Sequence, residues 1–499
     1  MDANDQTAEP LDSFDMDPQT FRRLGYQVID LMADAVTQES SDPVMPQVSG
    51  QQMRAIFDDP VPEQGVVPEK LIRACRETLL QYDRKNGHPR FFGYVCASAD
   101  PLGALADALA SVLNQNVTAW RSAPAATEME RLVVRWLDEM VAFRSGGQGL
   151  LVGGGSAANT TAIACALATV KSNNEKAPPR DRLSVYRSTQ GHLSIEKAAR
   201  LFGVPQENVR AIDVDAHYRM IPEALDRKLS NDLRDGLIPA CVCASAGTAN
   251  TGAIDPLLEI AEVCRRHRVW FHIDGAYGAP AAMTSDYHWM QDGFAQADSM
   301  SLDPHKWLFA PLDVGCVLFR DETAAAQAFS LQSEYTAVSE EDGIERYAFF
   351  NYGLELSRRF RALKVWMILK GRGVRRITRM IEQNISLRRY LDARIAADPR
   401  LEALGSDLSI SCFRYHPAGP HTGGAGACEP AAPAEQVRLN ALNRKILETL
   451  VAEGRVYMSP TTLGGRYALR VCIVNFRTMQ GDINLLVDEV LRIGAELCS

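Results

Sequence analysis

The 499-residue sequence lacks several features that would each have assigned it to a class. No run approaches the roughly 18 apolar residues that a membrane-spanning helix needs, so no membrane association is expected. The opening Met1–Pro10 is acidic and polar, without the basic-then-apolar order of a secretory leader. Lys and Arg are scattered and the formal net charge is −9, so nothing supplies a basic face for a phosphate backbone, and nucleic acid is not expected as a partner. The eleven cysteines are an odd number with no CxxC pair, which argues against a disulfide framework, a zinc site or a redox pair. The closest two, Cys241 and Cys243, alternate within an apolar run and read as core thiols. No metal site is expected, and reduced cysteines point to a cytoplasmic enzyme.

What is present is an ordinary globular composition, 46% hydrophobic and 23% charged. The chain is too long for one small core, so two or three units are expected. Residues 1–95 read as a helical N-terminal segment: Phe21, Leu24, Val28, Leu31 and Met32 recur at helical spacing, and Pro43–Pro68 interrupts the pattern. Such a segment cannot close its own core and is expected to pack on another domain or subunit. Over 96–370, short apolar runs (Leu150–Val152, Leu183–Tyr186, Val209–Val214, Ala240–Ala244, Val269–Ile273, Ser299–Leu302, Val314–Phe319) alternate with helical stretches such as 156–170, 193–202, 221–229 and 256–267. That alternation predicts a large α/β domain with a mainly parallel sheet, whose ligands gather at the carboxyl ends of the strands. Residues 371–499 read as a small α+β domain, with strands at Leu408–Phe413, Arg455–Met458 and Ala468–Ile473 and a last helix from Gly481. Pro417–Glu435, rich in Gly, Ala and Pro, reads as an exposed loop.

Three clusters carry chemistry, each at the end of an expected strand. Gly153-Gly154-Gly155-Ser156-Ala157-Ala158-Asn159-Thr160 precedes a helix, where glycines allow close backbone approach and the helix N-terminus favours an anion. The same residues would also serve as a tight turn with a Ser or Asn cap. Phe271-His272-Ile273-Asp274 ends a strand in a carboxylate, which is costly to bury without a cation such as a protonated pyridine nitrogen. The plainer alternative is a structural Asp capping the following loop. Asp298-Ser299-Met300-Ser301-Leu302-Asp303-Pro304-His305-Lys306-Trp307 sets a lysine after a strand and a proline-fixed turn, beside His305, Trp307 and Phe309. Burial there is expected to lower its pKa and prepare it as a nucleophile.

Taken together, and with Gly87-His88-Pro89-Arg90-Phe91-Phe92-Gly93-Tyr94 and Ser357-Arg358-Arg359-Phe360-Arg361-Ala362-Leu363-Lys364, these stretches resemble the group II pyridoxal-phosphate (PLP) dependent amino-acid decarboxylases over nearly the whole chain. The resemblance implies PLP-dependent transferase fold type I, the aminotransferase-like architecture, in a homodimer with active sites at the subunit interface. It implies PLP as cofactor, with Lys306 as the Schiff-base lysine, Asp274 as partner of the pyridine nitrogen and His192 stacked on the ring. Thr248 resembles the threonine near the ring oxygen or substrate carboxylate; Ser156, Ala157 and His305 resemble phosphate contacts. Asp303 stands where some relatives carry Asn; an ionised Asp cannot donate to a phosphate, so it is given no such role. Tyr335, on a polar acidic stretch over 332–346, resembles the loop tyrosine that returns a proton to the substrate. Phenylalanine there accompanies aldehyde-forming oxidases.

The expected reaction is decarboxylation of an L-amino acid to its amine and carbon dioxide. Phe91, Phe92, Tyr94 and Trp120 fall where aromatic-type relatives place pocket residues, partly from the opposite subunit, although Phe91 and Phe92 equally suit a core. Ser357 stands where plant relatives pair serine with phenolic substrates and glycine with indolic ones, which implies tyrosine or DOPA ahead of tryptophan or phenylalanine. The alternatives are an acidic substrate, glutamate or aspartate, with Arg90 and Arg121 as candidate cations, and an aminotransferase or aldehyde synthase on the same fold.

Overall fold

The computed structural model describes residues 15–37, 42–172, 178–331, 347–418 and 432–499. Three helices open it: α1 (Pro18–Val36), α2 (Gly50–Ile56) and α3 (Pro68–Cys75). Asp17 caps α1 by accepting from Gln19 and Thr20 N–H, and Ser49 with Gln52 forms a capping box on α2. Leu24 is the only buried residue of α1, so its apolar face is left largely uncovered. After β1 (Phe91–Phe92), α4 (Pro101–Leu113) and α5 (Pro124–Val141) lead into the large domain.

That domain alternates as the apolar runs require: β2 (Gly149–Val152), α6 (Gly155–Ser172), β3 (Leu183–Ser188), α7 (Leu193–Leu201), β4 (Val209–Ile212), α8 (Pro222–Arg234), β5 (Ile238–Ser245), α9 (Leu257–His267), β6 (Trp270–Asp274), α10 (Met290–Phe294), β7 (Ser299–Leu302), β8 (Gly315–Phe319) and α11 (Thr323–Phe329). The seven strands form one sheet in the order β2-β8-β7-β6-β5-β3-β4. β3, β4, β5, β6 and β7 pair in parallel, and β8 runs against both β7 and β2. Helices cover both faces, which is why the central strands are buried almost throughout. The carboxyl ends of β2, β3, β5, β6 and β7 therefore open on one side.

The chain continues through α12 (Ala362–Arg372) and α13 (Val374–Ala397) to β9 (Leu401–Asp407), β10 (Ile410–Tyr415), α14 (Pro433–Glu453), β11 (Tyr457–Leu463), β12 (Arg466–Cys472) and α15 (Gln480–Glu496). Their sheet has the order β1-β11-β12-β10-β9. β1 pairs in parallel with β11, so Phe91 and Phe92 belong to this second sheet although they precede the first. A separate core of Phe92, Phe413, Tyr415, Leu469, Val487 and neighbours lies beneath it. The whole is the fold type I α/β architecture expected of the sequence. No helix among the described residues is long and apolar enough to cross a membrane.

Candidate active site

A cavity of about 900 Å³ lies at the carboxyl ends of the strands. Lining it are Gly153–Ala157 after β2, His192 after β3, Asp274 at the end of β6, and Asp303, His305 and Lys306 after β7. Four segments far apart in sequence converge because parallel strands deliver their ends to one edge. A second cavity of about 790 Å³ sits near the amino ends of the strands, beside Arg265, Trp270 and Asp298, and gathers none of these groups.

The glycine loop is shaped by its neighbours. A Cβ on Gly155 would lie 2.8 Å from Ala276 Cβ and 2.9 Å from Asp303 Oδ2, and one on Gly315 would lie 2.5 Å from Gly154 Cα. Gly154 has φ +144°, in the region that favours glycine. The loop thus feeds its backbone into the start of α6, with the Ser156 hydroxyl beside it. His305 accepts a hydrogen bond from Val314 N–H through Nδ1 at 3.1 Å, and burial lowers its pKa.

Asp274 accepts from Asn159 Nδ2 at 2.9 Å, Ser301 Oγ at 3.1 Å and Ala276 N–H at 3.2 Å. Burial pushes its carboxyl up, but Lys306 and His192 offset this and hold it below its ordinary value. Lys306 Nζ lies 3.0 Å from Asp303 Oδ2. Burial pulls the ammonium down as expected, yet Asp303 and Asp274 outweigh it and the pKa is raised. The expectation of a depressed lysine is therefore corrected: it reckoned with the aromatic surroundings and not with two facing carboxylates.

The remaining sequence-derived residues divide. Tyr94 lines the cavity, in a left-handed conformation (φ +55°) fixed by a hydrogen bond from its N–H to Ser459 Oγ at 2.6 Å. Phe91 does not line it: it is buried and stacks on Tyr457 with ring centroids 5.1 Å apart. Phe92 is a core residue. Thr248 is buried and turns its hydroxyl to Thr251 Oγ1 at 3.1 Å, so the cavity wall here is Gly247, Ala249 and Asn250. Half-buried Trp120 and exposed Ser357 lie outside the lining, as do buried Arg90 and exposed Arg121. Tyr335 falls outside the described residues.

Arg470 is the residue that the sequence reading missed. It is buried, reaches the cavity from β12, and donates to Ala249 O at 2.7 Å and Tyr94 O at 2.9 Å. An arginine in a strand reads as a solvated face; only the packing of the second sheet over the first encloses it.

The residues present fit PLP. The glycine loop, helix N-terminus and Ser156 suit a phosphate, an ionised Asp274 suits a protonated ring nitrogen, and Lys306 supplies a primary amine in the same cavity. Fold and site together define a fold type I PLP-dependent enzyme.

Comparison with known proteins gives the family. Residues 50–416 match the profile of the pyridoxal-dependent decarboxylase conserved domain. The chain is 33% identical to an aromatic-L-amino-acid decarboxylase of Bacillus atrophaeus over 487 residues, covering 97% of this chain and 98% of the relative. It is 31% identical to phenylacetaldehyde synthase of Petunia hybrida, covering 92% and 91% respectively. A crystal structure of Oryza sativa TDC with PLP and tryptamine superposes with TM-score 0.89 at 25% identity, covering 98% of this chain and all of that one. The chain belongs to the pyridoxal-dependent decarboxylase family and is a PLP-dependent amino-acid decarboxylase.

Proposed function

We propose that the enzyme decarboxylates an aromatic L-amino acid (tyrosine, DOPA, tryptophan or phenylalanine) to its amine and carbon dioxide. The observation that carries this is the lining of the cavity: Tyr94, Val95, Leu312 and Pro460 give it apolar character, and Arg470 is the one arginine among the described residues that line it. A single guanidinium serves the α-carboxylate and leaves no second one for an acidic side chain, while flat apolar surface suits a ring. The relative named as an aromatic-L-amino-acid decarboxylase supports the same reading.

PLP, when bound, supplies an aldehyde for the Lys306 amine and an electron-poor ring that accepts the electron pair left by carbon dioxide. Asp274 would hold the proton on the ring nitrogen. Ser156, Ala157, the α6 N-terminus and His305 would hold the phosphate, and His192 would cover the ring face. Lys306 must release a proton before it can act as a nucleophile, and Asp303 is the base nearest to its Nζ. Arg470 orients the substrate carboxylate, and Tyr335 returns a proton to Cα. Trp120 and Ser357 serve the site of a second subunit in a homodimer. All ten described cysteines are free thiols, which supports a cytoplasmic setting.

An aldehyde synthase is the second reading, because one relative bears that name. The test is to incubate the PLP-loaded enzyme with aromatic and acidic amino acids and assay amine, carbon dioxide and hydrogen peroxide, with Lys306→Ala as control. Amine and carbon dioxide from an aromatic substrate without peroxide is the expected result. Peroxide with aldehyde would favour the second reading, and turnover of glutamate or aspartate alone would overturn the aromatic assignment.

A further inference from the structure

Behind Asp274 runs a chain of buried polar side chains outside the three motif roles. Asn159, on α6, is 1% exposed. Its Nδ2 donates to Asp274 Oδ2 at 2.9 Å and to Ser194 Oγ at 2.9 Å, and its Oδ1 lies 3.0 Å from His272 Nε2. His272 Nδ1 is 2.9 Å from Ser299 Oγ, which accepts from Trp270 Nε1 at 2.9 Å. Ser194 Oγ in turn lies 2.8 Å from His192 Nδ1.

Elementary chemistry fixes the direction of this chain. An ionised Asp274 can only accept, so the amide nitrogen of Asn159 faces it and the amide oxygen faces His272. His272 then carries its proton on Nε2 and accepts the Ser299 proton at Nδ1. Every member is matched while His272 is neutral. A histidine in direct contact with Asp274 would form an ion pair with it and share its proton. An amide in between passes on a hydrogen bond and not a proton. The charged and titratable groups facing Asp274 are Lys306 and His192 toward the cavity and His272 behind it.

We propose that Asn159 is a positioning residue that acts as a neutral spacer: it orients Asp274 and Ser194, prevents His272 from sharing a proton with Asp274, and so directs the Asp274 charge into the cavity. This rests on the assignment of Asp274 to the cofactor ring. Burial drives His272 toward its neutral form and outweighs the opposite pull of Asp274 and of the Ser299 backbone, in agreement with the spacer.

The test is the isosteric substitution Asn159→Asp, read first in cofactor-free protein labelled with ¹⁵N-histidine. The His272 signals are identified by their loss in His272→Gln. In the wild type, His272 is expected to stay neutral, protonated on Nε2 alone, across the neutral pH range. In Asn159→Asp, it is expected to carry protons on both nitrogens, and the loaded variant is expected to lose roughly 10–100-fold in kcat with KM little changed, the scale of supporting-shell substitutions. A neutral His272 in Asn159→Asp, or unchanged kcat despite a charged His272, overturns the proposal. Should the variant not fold, the wild-type spectrum decides: an imidazolium at neutral pH overturns the spacer and a neutral ring sustains it. Failure of the underlying assignment shows separately, as unchanged cofactor affinity in Asp274→Asn, whatever the histidine spectrum.

Discussion

Asp274 is kept ionised against its own burial, and the groups that achieve this are Lys306 and His192 on one side and His272 and the amide of Asn159 on the other. A buried charge held in this way is strongly coupled to whatever cation it meets. Asp274→Asn is therefore expected to weaken PLP binding by about 3–5 kcal/mol, or roughly 10²–10⁴-fold in Kd. Absorbance titration of cofactor-free protein measures it, and a Kd close to that of the wild type would remove Asp274 from the ring. His272 offers a pH signature. Burial lowers its pKa to about 4, whereas an unfolded histidine titrates near 6.5. Between these values the unfolded chain binds a proton that the folded chain refuses, so this residue withdraws stability as pH falls through that window. The stability of the wild type relative to His272→Gln should drop by on the order of 3 kcal/mol from pH ~6.5 to ~4, read by urea unfolding. A flat difference would show that His272 accepts its proton freely in the folded state. At this scale the sequence was informative where a residue type announces a task, as with Lys306 and Asp274. It offered Asn159 only as a helix cap and was silent on Arg470, because the surroundings of both come from distant segments.

At the scale of elements, the glycine loop shows how packing turns composition into a site. β8 runs against β7 and brings Gly315 onto Gly154, leaving no room for a methyl group: its Cβ would also lie 2.7 Å from Asp303 Oδ1. Gly315→Ala is expected to cost about 1–3 kcal/mol, as overpacking against rigid backbone does, and to lower PLP affinity because the loop must shift. Gly481→Ala is the control, since nothing lies within 4 Å of its would-be side chain. It should be neutral or stabilising by up to about 1 kcal/mol. Thermal unfolding with and without PLP separates the two, and equal melting temperatures would refute the tight-loop account. The parallel strands were legible because strands buried on both faces read as continuous apolar runs. The strand expected at Leu408–Phe413 is β10, Ile410–Tyr415, and what went unread is β9 and the turn before it at Leu408, which takes φ +50° without the glycine or asparagine that usually marks such a turn. Phe91 and Phe92 were likewise ambiguous, since their burial depends on pairing with β11, several hundred residues onward.

At the scale of the molecule, the described chain leaves apolar helix surface uncovered: Phe21, Tyr26 and Ile29 on α1, Leu105, Leu109, Val112 and Leu113 on α4, with Leu354 and Leu356 near Ser357. Contiguous patches of this kind mark an interface, and the proposed homodimer would cover them. Trp120 and Ser357 make the sharper case, because neither lines the cavity of its own chain. If Trp120 acts across the interface, it and Lys306 belong to different subunits of one site. Lys306→Ala and Trp120→Ala homodimers would then both be impaired, while a mixed dimer would rebuild one site, from the Lys306 of one subunit and the Trp120 of the other. Random mixing makes half of the dimers mixed, each with one of two sites intact, so co-expression should restore about a quarter of wild-type activity. If Trp120 serves its own subunit, every site in every dimer carries a lesion and nothing is restored. Activity of the co-expressed pair, with sedimentation of the wild type to fix its mass, distinguishes these outcomes; a monomer that is fully active would sink the shared site altogether.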